Sequence, residues 1–318
     1  MLRDPDILDG ISIGRNIGAM APDATKLPTI MVTASYRGDF ERCKLLCESM
    51  DARVTGHTRH LILVEAADVP LFSQLAGPRR EIIDERALLP VWLRPFPDPL
   101  SGGRRRIWLS PFGPPLRGWH VQQLRRFAIA AEIDEAIMVS IDSDVVFLRE
   151  FDVSAFSRDG RISFYRKADA LADVAPDMID DHLAWSRKAG ELLGITAPET
   201  TDTGYITTLV PWRTSAVRRM VERIKTVTGQ SWMKALSRTR QLSECTIYGR
   251  FVDEVEGRQD DYAVMTESLC HVYWSGQALG EKALANFVDD LGPHQVAAGI
   301  QSFTATDPAL IRRAAGLL

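Results

Sequence analysis

The stretch AIMVSIDSD, residues 136–144, decides the predicted fold. Ala136 to Ile141 is apolar apart from Ser140, and two aspartates, Asp142 and Asp144, follow at once. A short, continuously apolar run is typical of a parallel strand that is covered on both faces. Ligands of such sheets bind at the carboxyl ends of the strands. The stretch therefore predicts a buried strand that presents two carboxylates at a ligand-binding edge.

A divalent metal is the natural partner of these two carboxylates. Like charges so close together repel unless a cation or hydrogen-bond donors compensate them. Mg²⁺ or Mn²⁺, held by one or two carboxylates and by substrate phosphates, suits such a site. Asp4 and Asp6 have the same spacing in a polar leader, so the buried strand is what distinguishes Asp142 and Asp144. The alternative is an acidic turn that only caps the next element.

Residues before this stretch predict a parallel strand, helix and strand unit. Residues 28–35 and 60–65 are mostly apolar or β-branched and predict strands. Residues 39–50 have apolar positions at helical spacing, with Asp39 as a plausible N-cap. A second helix begins at Trp119 and leads into the buried strand, and its polar residues are expected on the outer surface. These polar residues are Gln122, Gln123, Arg125 and Arg126.

The rest of the chain predicts one irregular domain. Residues 90–115 are rich in Pro, Gly and Arg and predict a long surface loop, in which Arg104 to Arg106 either face a diphosphate or are simply solvated. Helices are predicted over 177–193, 213–227 and 242–255, and strands over 205–210 and 267–274. We expect a leader at 1–27 and a single domain at 28–318, with a nucleotide-binding half at 28–150 and an acceptor half at 151–318.

Composition narrows the classes of partner. The net charge is -4, which favours neither nucleic acid nor an anionic membrane as a partner. No apolar run approaches the roughly 18 residues of a membrane-spanning helix, and the first residues lack the apolar region of a signal peptide. The four cysteines are scattered and predict reduced thiols rather than a disulfide framework. We therefore expect a cytoplasmic protein without a membrane span.

Several passages in order resemble GT-A glycosyltransferases. They are TIMVTASYRGD at 29–39, RGWHVQQLRRFAIA at 117–130, IMVSIDSDVVFLREF at 137–151, TDTGYITTLVPW at 201–212, SECTIYGRFV at 243–252 and LCHVYWSG at 269–276. The resemblance covers about residues 29–302 and is nearest to a bacterial family of predicted glycosyltransferases, with a distant likeness to glycogenin. It implies an α/β, GT-A-like nucleotide-diphospho-sugar transferase fold, with a mixed, mostly parallel central sheet flanked by helices.

The same resemblance implies a donor site that contains a metal. Asp142 and Asp144 would bind Mn²⁺ or Mg²⁺ together with the ribose or diphosphate of a nucleotide sugar, for which UDP is the most frequent nucleotide. His271 resembles the late histidine that completes the metal site in glycogenin-like enzymes, with a core histidine as the alternative. Tyr36 falls where the base would stack and Arg37 where a phosphate would bind, although both also suit a turn.

Two carboxylates are candidates for catalysis. Asp202 and Gly204 resemble residues that approach the donor sugar, and Glu244 is a candidate for contact with the acceptor hydroxyl. In an inverting mechanism one of the two carboxylates would remove the proton of that hydroxyl. For Glu244, a helix-start carboxylate is an equally good interpretation. The other expected substrate-binding residues are Ser35, Trp119, Gln122, Gln123, Ser143, Tyr205, Trp274 and Gly276.

Other functions remain open at this stage. A haloacid-dehalogenase-like phosphohydrolase would use Asp142 as its nucleophile and would need a lysine and a late acidic pair, such as Asp260-Asp261 or Asp289-Asp290. Against it, a complete strand, helix and strand precede the motif here. A nucleotide-sugar-binding protein without turnover is a further alternative. A nucleotidyltransferase is disfavoured, because ASYRGD at 34–39 lacks the glycine-rich phosphate loop of that class.

Overall fold

The computed structural model describes residues 27–102 and 105–317. Almost all of the predicted leader, with Asp4 and Asp6, therefore lies outside the described residues, as does Arg104. In the described part, the strands are β1 (Thr29–Ala34), β2 (Val54–Thr55), β3 (His60–Val64), β4 (Arg80–Asp84), β5 (Arg94–Pro97), β6 (Arg106–Leu109), β7 (Leu116–Arg117), β8 (Ile137–Ser140), β9 (Val145–Phe147), β10 (Phe151–Asp152), β11 (Ser157–Arg158), β12 (Arg161–Tyr165), β13 (Val210–Arg213), β14 (Tyr262–Met265), β15 (Cys270–Tyr273) and β16 (Ala297–Ile300).

Helices surround these strands. They are α1 (Phe40–Arg53), α2 (Val69–Phe72), α3 (Gly118–Glu132), α4 (Ile179–Leu193), α5 (Thr214–Thr228), α6 (Trp232–Ser237), α7 (Glu244–Phe251), α8 (Glu281–Asp289) and α9 (Pro308–Ala314). A short π-helical segment, Val252–Glu256, continues α7. Among the helices described, none is long and apolar enough to cross a bilayer.

The central sheet confirms the predicted fold class of a mixed, mostly parallel α/β sheet. Its strand order is β13-β8-β1-β3-β4. The pairs β8 with β1, β1 with β3 and β3 with β4 are parallel, and only β13 runs antiparallel to its neighbour. Every residue of β1, β3 and β8 is buried, as the apolar runs predict. The carboxyl ends of four parallel strands therefore meet at one edge.

A second sheet begins where the buried strand ends. After Asp144 the chain enters β9, which pairs antiparallel with β16, and β16 pairs parallel with β15. The backbone N–H of Ile300 donates to the carbonyl of Asp144 at 3.1 Å. The Asp142–Asp144 turn is thus the junction of two sheets, and the carboxyl ends of β15 and β16 also reach it.

The prediction of an irregular loop over 90–115 is wrong. Strands β5 and β6 form an antiparallel hairpin, and β7 completes a three-stranded sheet. Pro95 and Pro97 are tolerated because β5 is an edge strand, where a missing amide donor costs no ladder bond. One face of this sheet is anchored to the protein interior by Trp108 and Leu116, which are buried.

The strand predicted over 205–210 begins only at Val210. Leu209 has φ of +63°, a left-handed conformation that is costly for a bulky residue and interrupts an extended chain. Tyr205 is 4% exposed and its hydroxyl donates to Asp253 at 2.7 Å. Its ring is stacked on Phe164, with 5.9 Å between centroids. Tyr205, a predicted substrate-binding residue, is therefore packed in the core.

Gly249 offers a test of this packing. A Cβ atom built at Gly249 would lie 2.1 Å from Cγ of Tyr205, closer than real Cβ atoms approach, so the ring or the helix would have to shift. We expect Gly249→Ala to lower the free energy of unfolding by about 1–3 kcal/mol, the usual cost of overpacking. Chemical denaturation would measure it. Gly118→Ala is the matched control, because nothing lies within 4 Å of its Cβ position; an equal loss in both variants would contradict the argument.

Candidate active site

Arg126 is the centre of the candidate site. It lies on α3, its side chain is 11% exposed, and it donates to Glu244 Oε1 at 2.5 Å and to Asp142 Oδ1. Burial alone would lower the pKa of the guanidinium, but the carboxylates of Asp142 and Glu244 outweigh burial and raise it. Arg126 therefore stays charged and joins the end of β8 to the start of α7.

A hydrogen-bond network fixes Glu244. The backbone N–H of Glu244 donates to Oε1 of the buried Gln123 at 2.9 Å, and Ser243 caps α7 through the N–H of Thr246. Nε2 of Gln123 has no hydrogen-bond partner among the described residues. The structure thus brings the predicted residues Gln123, Glu244 and Asp142 together. Glu244 is at the same time the helix-start carboxylate of the alternative interpretation.

Most of the polar residues of α3 are buried, so the prediction that they lie on the outer surface is wrong. Gln123 and Arg125 are buried, Arg126 is nearly so, and only Gln122 is half-exposed. Arg125 pairs with the buried Glu85, which follows β4. Helical spacing placed these residues on the polar side, but α3 is covered on that side too. The three-residue spacing of Gln123 and Arg126 was the available signal that they share one face.

Asp144 lies in a more acidic environment than Asp142. Its Oδ2 accepts the backbone N–H of Ser302 at 3.2 Å. Burial first, and then the charges of Asp142 and Asp39, raise the pKa of Asp144 to about 7. Because Arg126 is paired with Asp142 and not with Asp144, the two aspartates of the motif are electrostatically unequal.

Asp39, which the sequence predicts only as a helix N-cap, is a third carboxylate near Asp142 and Asp144. It stands at the start of α1 but makes no side-chain capping bond. The pKa of Asp39 is raised, chiefly by burial and also by the charge of Asp142. A hydrogen bond with Ser302 and the charge of Arg42 act in the opposite direction. Ser302, from the segment after β16, therefore links Asp39 to Asp144. No sequence spacing connects these residues.

The donor set fits a hard divalent cation only in part. Carboxylate oxygens are what Mg²⁺ and Mn²⁺ prefer, and the mutual repulsion at Asp144 is relieved by a cation. In residues 27–102 and 105–317, however, no three metal-ligating side chains are grouped closely enough to hold an ion alone. An ion here would need further oxygen ligands from substrate or water. Asp142 and Asp144 are the residues that could hold it.

His271 is not placed with these aspartates. Burial first, and then the charges of Asp144 and Asp142, raise the pKa of Cys270, the preceding residue on β15. Because side chains alternate along a strand, the side chain of His271 points to the other face. The ring of His271 instead stacks on Phe287 of α8, with centroids 4.3 Å apart. The core-histidine alternative describes this position better than a metal ligand does.

The end of β1 presents one aromatic ring to solvent. Tyr36 is 47% exposed, and its ring lies over Gly38, where a Cβ atom would come within 2.4 Å of it. Arg37 donates from Nε and from its backbone N–H to Asp68 at 2.7 and 2.8 Å, so its guanidinium already has a partner. Ser35, also predicted to contact substrate, is fully buried beside Cys43.

Further aromatic residues lie along the same edge. Trp119 is half-exposed at the start of α3, with its ring 5.5 Å from that of Trp185. Trp274 and Phe303 are exposed just after β15 and β16, beside the Ser302 contact to Asp144. Among the predicted residues, Ser143 is buried inside the turn. Gly276 has φ of +131°, which favours glycine there.

Asp202 and Gly204 belong to a loop that is hydrogen-bonded to the segment after β12. Gly204 exchanges backbone hydrogen bonds of 2.8 and 3.0 Å with Lys167, and the carbonyl of Asp202 accepts the N–H of Ala170 at 2.9 Å. The side chain of Asp202 is exposed. A Cβ atom at Gly204 would approach Ala170 Cβ to 2.5 Å, so glycine serves this close backbone approach.

The fold and the candidate site together define an α/β protein with acidic residues at the carboxyl ends of its parallel strands. The chain belongs to DUF6492, described as a family of unknown function, whose model matches residues 21–315. A search of curated proteins found no match.

Solved structures with which the chain aligns include two of the galactosyltransferase LgtC. One is a complex with donor and acceptor sugar analogues, and the other is an active-site mutant; each has 13% identity and a TM-score of 0.45, covering 91% of this chain and 96% of LgtC. A third is the apo form of the glycosyltransferase GlyE of Streptococcus pneumoniae TIGR4. It has 13% identity and a TM-score of 0.41, covering 86% of this chain and 54% of GlyE.

Replacing Arg126 tests how much its charge stabilises the protein with Glu244 buried. We expect Arg126→Met to lower the free energy of unfolding by about 3–5 kcal/mol, because a buried carboxylate loses its charge partner. Arg187→Met is the control, since Arg187 and Glu199 form an exposed pair worth less than about 1 kcal/mol. Denaturant unfolding followed by circular dichroism measures both. Equal stability of Arg126→Met and the parent would show that Arg126 does not hold the site together.

Proposed function

We propose that this protein is a metal-dependent glycosyltransferase that moves a sugar from a nucleotide diphosphate donor to an acceptor. The observation that carries the proposal is the placement of Asp142 and Asp144. Both carboxylates stand at the junction of two sheets, on the edge where α/β proteins bind ligands, and Asp39 adds a third negative charge. The exposed aromatic ring of Tyr36 lies just after the neighbouring strand, β1.

In this proposal the acidic edge binds the diphosphate through Mn²⁺ or Mg²⁺. A divalent ion supplies a Lewis acid that stabilises the charge developing on a departing diphosphate. The chain's own part is to hold Asp142 and Asp144 in place, through Arg126 and the N–H of Ser302 respectively. Water and phosphate oxygens complete the ligand set, without His271, whose ring is packed on Phe287.

Base recognition is assigned to Tyr36. Its half-exposed ring lies beside Gly38 and can stack on a nucleobase. UDP is the first nucleotide to test, on the resemblance described above. Arg37 would need to leave Asp68 before it could meet a phosphate, so we assign it the role of positioning the turn.

The two candidate catalytic carboxylates receive different roles. Glu244 is buried and bonded to Arg126, so we assign it to positioning the guanidinium. Asp202 has an exposed carboxylate on a loop braced by Gly204, and we propose it as the base for an acceptor hydroxyl if the reaction inverts the anomeric centre. The acceptor is a glycan or small molecule that reaches the exposed aromatic residues of the edge.

The phosphohydrolase alternative fits the side chains less well. Asp142 has an arginine against its carboxylate where that mechanism needs a lysine. Asp261, from one candidate acidic pair, is bonded to Arg213, and Asp289, from the other, is an exposed residue at the end of α8. These contacts favour the transferase over the phosphatase.

Calorimetric titration tests the donor site directly. We expect UDP to bind to the parent protein in the presence of Mn²⁺ and more weakly without it, with GDP, ADP and CMP as competitors for selectivity. Losing an outer-shell partner of a metal typically costs about 10–100-fold in affinity, so Asp144→Asn, which removes a direct ligand, should cost at least as much. Asp289→Asn is the control and should bind like the parent.

Each outcome separates the candidate functions. Absence of binding to every nucleotide would refute the transferase, and phosphatase activity lost in Asp142→Asn would replace it. Mn²⁺-dependent binding without transfer or donor hydrolysis, across a panel of UDP-sugars and acceptors, would instead support the binding protein without turnover.

Asp202 and Glu244 can be distinguished by kinetics. If Asp202 is the base, Asp202→Asn should lower kcat by about 10²–10⁴-fold and leave UDP affinity unchanged. Glu244→Gln removes one charge from Arg126, so it should reduce stability and UDP affinity together. Initial rates of donor turnover and UDP titrations on both variants provide the measurement. The assignment of roles fails if Asp202→Asn turns over at the parent rate.

A further inference from the structure

The small sheet formed by β5, β6 and β7 has one uncovered face. Paired residues of an antiparallel sheet point to the same side, and Arg94 pairs with Leu109, Phe96 with Ile107, and Ile107 with Arg117. These side chains share one face, which we call the outer face. It consists of Arg94, Phe96, Ile107, Leu109 and Arg117.

The opposite face anchors the sheet to the body of the protein. Trp108 and Leu116, which pair with each other, are buried. The guanidinium of Arg125 lies over the ring of Trp108, 5.6 Å from its centroid. The outer face is therefore presented by a sheet that is held in place from behind, rather than by a loose loop.

Large apolar side chains on and around the outer face are exposed to solvent. Phe96 and Leu109 are exposed on the face itself, Leu100 is 97% exposed at the tip of the β5–β6 hairpin, and Val91 is 75% exposed just before β5. Scattered exposed apolar residues are normal, but several in one short segment indicate an interaction surface.

The charge of this surface is positive. Arg94 and Arg117 lie on the outer face and Arg105 is exposed at the hairpin. Among its described residues the outer face contains no carboxylate. The nearest acidic residue of the hairpin, Asp98, is half-buried and accepts the N–H of Leu100 at 3.0 Å. This local excess of arginine occurs in a chain whose net charge is -4.

We propose that the outer face docks the protein onto an anionic membrane surface. Exposed aliphatic and aromatic side chains bury themselves at the headgroup boundary, and arginines near an anionic leaflet each strengthen binding by about fivefold. Charge complementarity selects an anionic lipid surface, and the fully exposed leucine at the tip favours a bilayer over a polyanion without an apolar layer. This inference does not rest on the proposed transferase activity.

The surface lies next to the candidate site. Arg106 pairs with Glu65, which follows β3, at 3.0 Å, and the charge of Arg105 lowers the pKa of Tyr36 against the larger effect of burial. A protein docked through the outer face would therefore hold the Tyr36 end of the acidic edge close to the lipid surface.

Vesicle flotation tests the proposal with the full chain and no nucleotide. We expect the protein to float with phosphatidylcholine–phosphatidylglycerol vesicles at low salt, to float much less with phosphatidylcholine alone, and to be released by high salt. The double variant R94Q/R117Q should bind the anionic vesicles about 25-fold more weakly, at about fivefold for each arginine. Phe96→Ser with Leu100→Ser should also reduce flotation.

Matched controls come from another part of the molecule. Arg158→Gln and Val264→Ser change an exposed arginine and an exposed valine away from the outer face, and both should float like the parent. Failure of the parent to bind anionic vesicles, or equal binding by R94Q/R117Q and Arg158→Gln, would overturn the proposal. Self-association that is lost in the outer-face variants, or binding to nucleic acid but not to vesicles, would overturn it too.

Discussion

The arrangement of the acidic edge depends on one buried guanidinium. Arg126 from α3 contacts Asp142 at the end of β8 and Glu244 at the start of α7. Removing a charge from water is costly, and only close carboxylates with good geometry compensate for that cost. Because Glu244 is 118 residues from Arg126 in sequence, this ion triad constrains how the two halves of the chain meet. The position of Asp142 in the candidate site is a consequence of the triad.

Because of this triad, the two motif aspartates lie in different electrostatic environments. Asp142 receives a positive charge from the protein itself, whereas Asp144 faces Asp39 and the neutral N–H of Ser302. Arg42 offsets part of that charge, so the Asp144 side keeps two carboxylates against one guanidinium. In the proposed function a cation that arrives with a diphosphate would gain most there, and the Arg126 contact would hold Asp142 in position to share it.

Apolar runs predicted the central sheet well, because a strand covered on both faces must be apolar throughout. The side-chain environment was not predictable in the same way. Arg126 was expected in solvent because helical periodicity reveals which face is apolar, not whether the polar face is covered by another element. Asp39 looked like a cap because its partner, Ser302, is more than 250 residues away. Pro95 and Pro97 suggested a loop because nothing local identifies an edge strand.

Whole-chain charge does not describe the local charge of a surface, for a related reason. Lysine and arginine number 38 and aspartate and glutamate 42, which indicates no field for an anionic partner. Burial decides which of these charges act outward. Arg125 and Arg126 are cancelled inside the protein by Glu85, Asp142 and Glu244. Among the residues described, the arginines of the outer face have no carboxylate beside them on that face, so within a Debye length of about 8–10 Å they act as a positive patch whatever the sum over the chain.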